Sequence, residues 1–217
     1  MNLMDYIRIL TRRGWIVALA VVITAGAAYG FSKTQTEVYR ASQKVLLLPS
    51  RSDLGLTETM RILLRSFVEY LDTDTVAQVV ITNLELDLQP GDLRADSAIN
   101  SDPTTLTIQI DVDLEDQEAA ARIATEWGRQ LVEWRGTLNA ALPREERIEA
   151  QLLDTASVGL YRPQTKINVL AGAILGLIIG GAIVFVLEYL ESNIMRRPED
   201  IERVLEVPLL ATIPQTD

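Results

Sequence analysis

The 217 residues carry 30 acidic and 20 basic side chains, for a net charge of −10, and contain neither cysteine nor histidine. Disulfides, cysteine or histidine metal sites and histidine-based catalytic triads are thereby excluded. A hydrophobic fraction of 48% reads as an ordinary globular chain, but that average hides two long uncharged runs.

The chain begins with MDYIRILTRRGWIV, which sets Tyr6, Ile7, Ile9 and Leu10 beside Arg8, Arg12 and Arg13. This is the pattern of a short interfacial helix leading into the bilayer, with Trp15 at headgroup depth. From Gly14 to Ser32 run 19 uncharged residues. As a helix they reach about 28 Å, against a hydrocarbon core of about 30 Å. A core helix of a small domain would keep a polar stripe, which this run lacks. A cleaved signal peptide is the other reading, since a basic start and small residues are both present, but the run is longer than the roughly 7 to 15 residues usual there. We expect a cytoplasmic N-terminus at 1–13 and a transmembrane helix at 14–32.

Residues 33–166 then read as an extracytoplasmic α+β domain. VYRASQKVLLLP (Val38 to Pro49) is rich in β-formers and stops at proline, as a strand does. TETMRILLRSFVEYL places Met60, Leu63, Leu64, Phe67, Val68 and Leu71 at helical spacing, with Thr57 as N-cap. A second helical face follows in Val76, Val79, Val80 and Leu84, opened by Asp72 or Asp74. QPGDLRADSAI holds a turn and one short helix. TTLTIQIDVDL alternates Leu106, Ile108, Ile110 and Val112 with Thr107, Gln109, Asp111 and Asp113, the period-two mark of a half-buried strand. Asp102 and Pro103 supply the turn that pairs it with residues near Asp96 to Ser101. In EDQEAAARIATEWGRQLVEWRGTL, Ala120, Ile123, Ala124, Trp127, Leu131, Trp134 and Leu138 recur every three or four residues, the strongest soluble helix signal in the chain. RIEAQLLDTASVG reads as a last strand. The whole predicts an α/β sandwich with helices on one face of a small sheet.

Asp111, Asp113, Glu115, Asp116 and Glu118 have the chemistry to hold a cation or to act as acid and base. The alternation that places Asp111 and Asp113 beside Gln109 predicts a solvated face instead, with no catalytic partner. The middle segment carries −8 of the charge, which argues against nucleic acid or anionic lipid as its ligand.

Between Lys166 and Glu188 lie 21 uncharged residues, about 31 Å as a helix, and 167–187 is the second expected span. Gly172, Gly176 and Gly180 recur every four residues there, as Gly26 and Gly30 do in the first. Small residues at that spacing let helix backbones approach in lipid, where no hydrophobic force draws helices together. We expect these five glycines to pack span on span, or one subunit on its neighbour. With the 133 residues from Thr34 to Lys166 between the two apolar runs, both termini share one side. Lys and Arg counts weakly favour that side being cytoplasmic, because loops beyond about 60 residues escape the positive-inside bias.

The tail 188–217 opens with Arg196 and Arg197, placed to meet lipid phosphates, then Pro198 with Glu199 and Asp200 as a helix start. Ile201, Val204 and Leu205 share one side of that helix, and an apolar VPLLATIP follows. A bare stop-transfer signal needs only the arginines. We therefore expect a partner-docking segment using Arg197, Pro198, Glu199, Asp200, Ile201, Leu205, Pro208, Leu209, Ile213 and Pro214.

DYIRIL before the first span, PEDIERVLEVPLLATIP after the second and IDVDLEDQEAAARIATEWGRQLVEW between them carry a family likeness. Together with FVEYLDTDTVAQVVITNLELDLQPGDL they resemble the Wzz-type chain-length determinants, also called polysaccharide co-polymerases. The resemblance implies a two-pass hairpin in the plasma (inner) membrane with both termini cytoplasmic and an outer domain that assembles into rings. It implies no enzymatic activity and no cofactor. It implies regulation of the polymerisation, length or export of a surface polysaccharide, with a polymerase, an export channel or a separate tyrosine kinase as partner. The kinase would be separate because these residues contain no G-x-x-x-x-G-K-[ST] loop. Two departures stand out: the long coiled-coil hairpin of many relatives is missing, and the proline-rich run before the second span is reduced to Pro163. The alternative is a structural or accessory subunit of another envelope complex that retains the fold.

Overall fold

The computed structural model describes residues 3–51 and 54–192. The chain divides into two compact units, one of Gln35–Pro163 and one containing the stretches to either side of it.

The first unit in chain order is a helical hairpin of α1 (Leu3–Thr34) and α6 (Thr165–Ser192). No break separates the basic start of α1 from its apolar part. Arg12–Thr34 and Thr165–Glu191, of 23 and 27 residues, are long and apolar enough to cross a membrane. Their large side chains turn outward: Val22 is 69% exposed and Phe185 71%. A water-soluble helix pair would bury such groups, at about 25 cal/mol for each Å² of apolar surface removed from water.

The second unit is α+β. Its antiparallel sheet of four strands has the order β2-β3-β1-β4. These strands are β1 (Val38–Pro49), β2 (Ser97–Asp102), β3 (Thr107–Leu114) and β4 (Ile148–Arg162). The helices are α2 (Leu54–Leu71), α3 (Asp74–Leu84), α4 (Pro90–Ala95) and α5 (Gln117–Ala140). Helices α2 and α5 cover one face of the sheet, while α3 packs on α5 and α4. Alternation along β1 and β3 sends Ala41, Val45, Leu47, Ile108, Ile110 and Val112 into the core, all fully buried. There they meet Met60, Leu64 and Leu71 of α2 and Ile123, Trp127 and Leu131 of α5. The Trp127 indole N–H donates to the Leu71 carbonyl at 3.0 Å, which ties α5 to the end of α2 and satisfies a donor that burial would otherwise orphan. Gly128 lets α5 settle onto the sheet: a Cβ there would stand 2.7 Å from the Leu152 side chain.

Several local expectations change. Helix α2 already runs at Leu54, so Thr57 lies inside it and is not its cap. The cap of α3 is Thr73, whose hydroxyl accepts from the Val76 N–H. Asp72 and Asp74 instead bind Arg94 of α4, each at 2.8 Å. Val79 stays exposed, and Ala77 and Ile81 complete the buried face of α3. Strand β3 begins at Thr107 because Asp102 folds the preceding residues into a turn, accepting from the Thr104 N–H and the Thr105 hydroxyl at 2.8 Å each. Strand β4 runs three residues past Gly159, to Arg162.

One interruption marks the ladder between β1 and β4. Ser42 pairs with Ser157 and Lys44 with Leu153, so Asp154, Thr155 and Ala156 bulge opposite Gln43. Asp154 takes the left-handed conformation there, φ 50°. Gln43 points inward, and its amide N–H group donates to the carbonyls of Leu153 and Asp154 at 3.0 and 3.4 Å. The side chain thus supplies donors that the interrupted ladder leaves missing.

Candidate functional site

Two regions concentrate specific chemistry: the hairpin seam and the sheet face left uncovered by helices.

The seam is antiparallel and built on small residues. A Cβ at Gly172 would lie 2.8 Å from Ala28 Cβ, one at Gly176 2.6 Å from Val21 Cα, and one at Gly180 2.8 Å from Val17 Cα. At such distances the two backbones touch, and no residue larger than glycine fits without separating the helices. Polar groups fix the ends. The Asn168 amide donates to the Ser32 hydroxyl (3.2 Å), which donates in turn to that of Thr165 (3.0 Å), with Ser32 fully buried. At the other end Arg13 pairs with Glu191 at 2.6 Å and approaches Glu188 at 3.9 Å. Gly26 and Gly30 do not join the seam, and a Cβ on either meets nothing. The reason is helical phase. At 100° per residue, Gly26 lies about 160° round the axis from both Thr24 and Ala28, which face α6.

The uncovered sheet face is polar and cross-linked. Register sets Arg40 opposite Asp113 and Ser42 opposite Asp111. Arg40 grips Asp113 with two hydrogen bonds of 2.6 Å, a bidentate pair. Those bonds, more than any other influence, hold the guanidinium above its ordinary pKa. Arg40 also lies 3.5 Å over the ring of Tyr161, with Arg162 at 5.0 Å. Arg162 first and Arg40 second pull the Tyr161 phenol below its usual pKa, because both cations favour the phenolate. Asp111 accepts from the Ser42 hydroxyl and from the Gln109 amide. It is only 7% exposed, so the expectation of a solvated carboxylate there is corrected. The Ser42 hydroxyl and the Gln109 amide lie against it. Asp116 caps α5 by accepting from the Glu118 N–H. Among the described residues, no three acidic side chains converge to hold a metal ion.

Where this face meets the junction of α4 and β2 lies a cavity of about 490 Å³, lined by Asp96, Asp113, Glu115, Tyr161, Arg162 and apolar neighbours. Sequence reasoning named Asp113 and Glu115 but missed Asp96, Arg40, Tyr161 and Arg162. The outward phase of Arg40 was visible in the alternation of β1. Its partner was not, because only cross-strand register supplies it. The expected docking residues Arg197, Pro198, Glu199, Asp200, Ile201, Leu205, Pro208, Leu209, Ile213 and Pro214 lie outside the described residues.

No family model matches the chain. It is similar to the capsular polysaccharide biosynthesis protein CpsC of Streptococcus pneumoniae, with 24% identity over 220 residues. The match covers 98% of this chain and 94% of that protein.

Proposed function

We propose that this chain is a non-enzymatic membrane scaffold in the biosynthesis of a surface polysaccharide. The observation that carries the reading is an end-to-end match, 98% of one chain against 94% of the other, to a protein named for capsular polysaccharide biosynthesis. A match of that extent includes the two apolar helices as well as the α+β unit, so the likeness concerns the architecture as a whole.

The hairpin supports anchoring. Apolar stretches of 23 and 27 residues in the two helices carry their large side chains outward, which lipid accommodates and water does not. In this reading the α+β unit faces away from the cytoplasm, both termini lie in the cytoplasm, and copies assemble as an oligomer. The tail from Arg197 to Pro214 then docks on a cytoplasmic partner such as a separate tyrosine kinase, while the assembly governs chain length or export. The absence of catalysis is part of the proposal. It draws support from the sheet-face carboxylates, since Asp111 and Asp113 are already engaged by Ser42, Gln109 and Arg40.

Deleting the gene and resolving the surface polysaccharide by gel electrophoresis tests the reading. We expect a changed yield or length distribution, restored by the full chain. An unchanged polysaccharide overturns it.

A further inference from the structure

We propose that the cavity at the end of the sheet is a saccharide-binding site that takes a neutral sugar segment of the polysaccharide. This inference rests on the polysaccharide reading above and adds direct contact with the glycan. At about 490 Å³ the cavity falls inside the roughly 300 to 1,000 Å³ of small-molecule sites, with room for a short run of sugar rings.

Its chemistry discriminates among ligand classes. Asp113 is neutralised by Arg40, which leaves Asp96 and Glu115 as the cavity's free carboxylates and Arg162 as its exposed cation. Among the described residues, neither the Asp96 nor the Glu115 side chain has a hydrogen bond or ion pair. Two unpaired carboxylates against one guanidinium repel a phosphate or a uronate. A divalent cation has no convergent set of three acidic ligands. A purely apolar ligand would strip water from both carboxylates without replacing their hydrogen bonds. A polyhydroxylated neutral ring answers each objection. Its hydroxyls donate to Asp96 and Glu115 and accept from Arg162, while its C–H faces rest on Val38 and Leu114. The Tyr161–Arg40–Asp113 link ties β4, β1 and β3 together beneath the site, so the cavity wall is held rigid before any ligand arrives.

The test uses the full chain in detergent and saturation-transfer NMR, which detects millimolar binding. The probes are oligosaccharides released by partial hydrolysis from the cell's own surface polysaccharide and separated by anion exchange into neutral and acidic fractions. We expect the neutral fraction to bind and the double variant Asp96→Asn with Glu115→Gln to weaken it at least tenfold. Asp102→Asn, at the opposite end of β2, should leave binding unchanged. Both substituted positions are exposed, and unaltered circular dichroism would show that the variants fold. Three results overturn the proposal: no binding of the neutral fraction, equal binding by the double variant, or preference for the acidic fraction. If the gene deletion still alters the polysaccharide, only the saccharide site falls. If the deletion has no effect either, the functional reading falls with it.

Discussion

The hairpin and the α+β unit bury opposite kinds of residue. In the α+β unit the large apolar side chains go in: Trp127, Met60 and Leu64 are fully buried, and most charge lies outside, with Asp111, Glu126 and Arg135 the buried exceptions among the described residues. In the hairpin the small ones go in, with Gly172, Gly176 and Gly180 against the backbone of α1, while Phe185 and Ile178 point out. On the membrane-scaffold reading proposed above, the difference reflects the solvent each unit is built for. In water, apolar area removed from solvent drives packing and rewards bulk in the core. In lipid that gain vanishes, and close backbone contact replaces it. The same mutation type should therefore act with opposite severity in the two units.

The largest effect is expected for Trp127→Ala. Removing a fully buried indole costs about 3–5 kcal/mol, and its tie to the Leu71 carbonyl is lost as well. In a chain of this size that lowers the melting temperature by about 6–20 °C, readable by circular dichroism in detergent. A variant melting with the wild type would show that this core is not what holds the unit together.

Enlarging a small residue should matter most in the hairpin. Gly176→Leu forces the helices apart and costs about 1–3 kcal/mol. The chain has no cysteine, so a disulfide between Ser32→Cys and Thr165→Cys reports pairing without background. We expect its yield to fall several-fold with Gly176→Leu. Phe185→Ala, a change in volume of similar size on the outward face, should leave the yield unchanged within about 0.5 kcal/mol. If Phe185→Ala is the more damaging of the two, the contrast between the units fails.

The smallest effect concerns the β2–β3 turn. Hydrogen bonds from the Thr104 backbone and then the Thr105 hydroxyl lower the Asp102 pKa from its ordinary 3.8. A depressed carboxylate contributes stability above its unfolded pKa and loses it as the pH falls through the folded one. Acidification below about 4 should therefore lower the protection of the turn amides, taken relative to the intrinsic exchange rate at each pH, and Asp102→Asn should abolish that loss of protection. Protection factors that do not change with pH in the wild type would remove Asp102 from the account of the turn.

Much of this was legible one element at a time. Val38–Pro49 announced itself by composition and its terminal proline, and the face of α5 through Ala120, Ile123, Trp127 and Leu131 by its period. What escaped depends on pairs. That Thr73 and not Asp72 caps α3 goes with Arg94, which lies one helix later in the chain and claims both aspartates. The burial of Asp111 follows from the register that sets Ser42 across from it. A four-residue glycine spacing says that a helix has a small face, but not which way that face is turned, so Gly26 and Gly30 were indistinguishable from Gly172 and Gly176 until both helices were in place.

The bulge opposite Gln43 bears on whether the sheet margin can recruit strands from other molecules. Strand β4 is 15 residues long and forms one margin of the sheet. A straight ribbon margin of that length is a template on which strands of other molecules add without limit. The three-residue kink held by Gln43 breaks the template near its middle, which disfavours such strand addition.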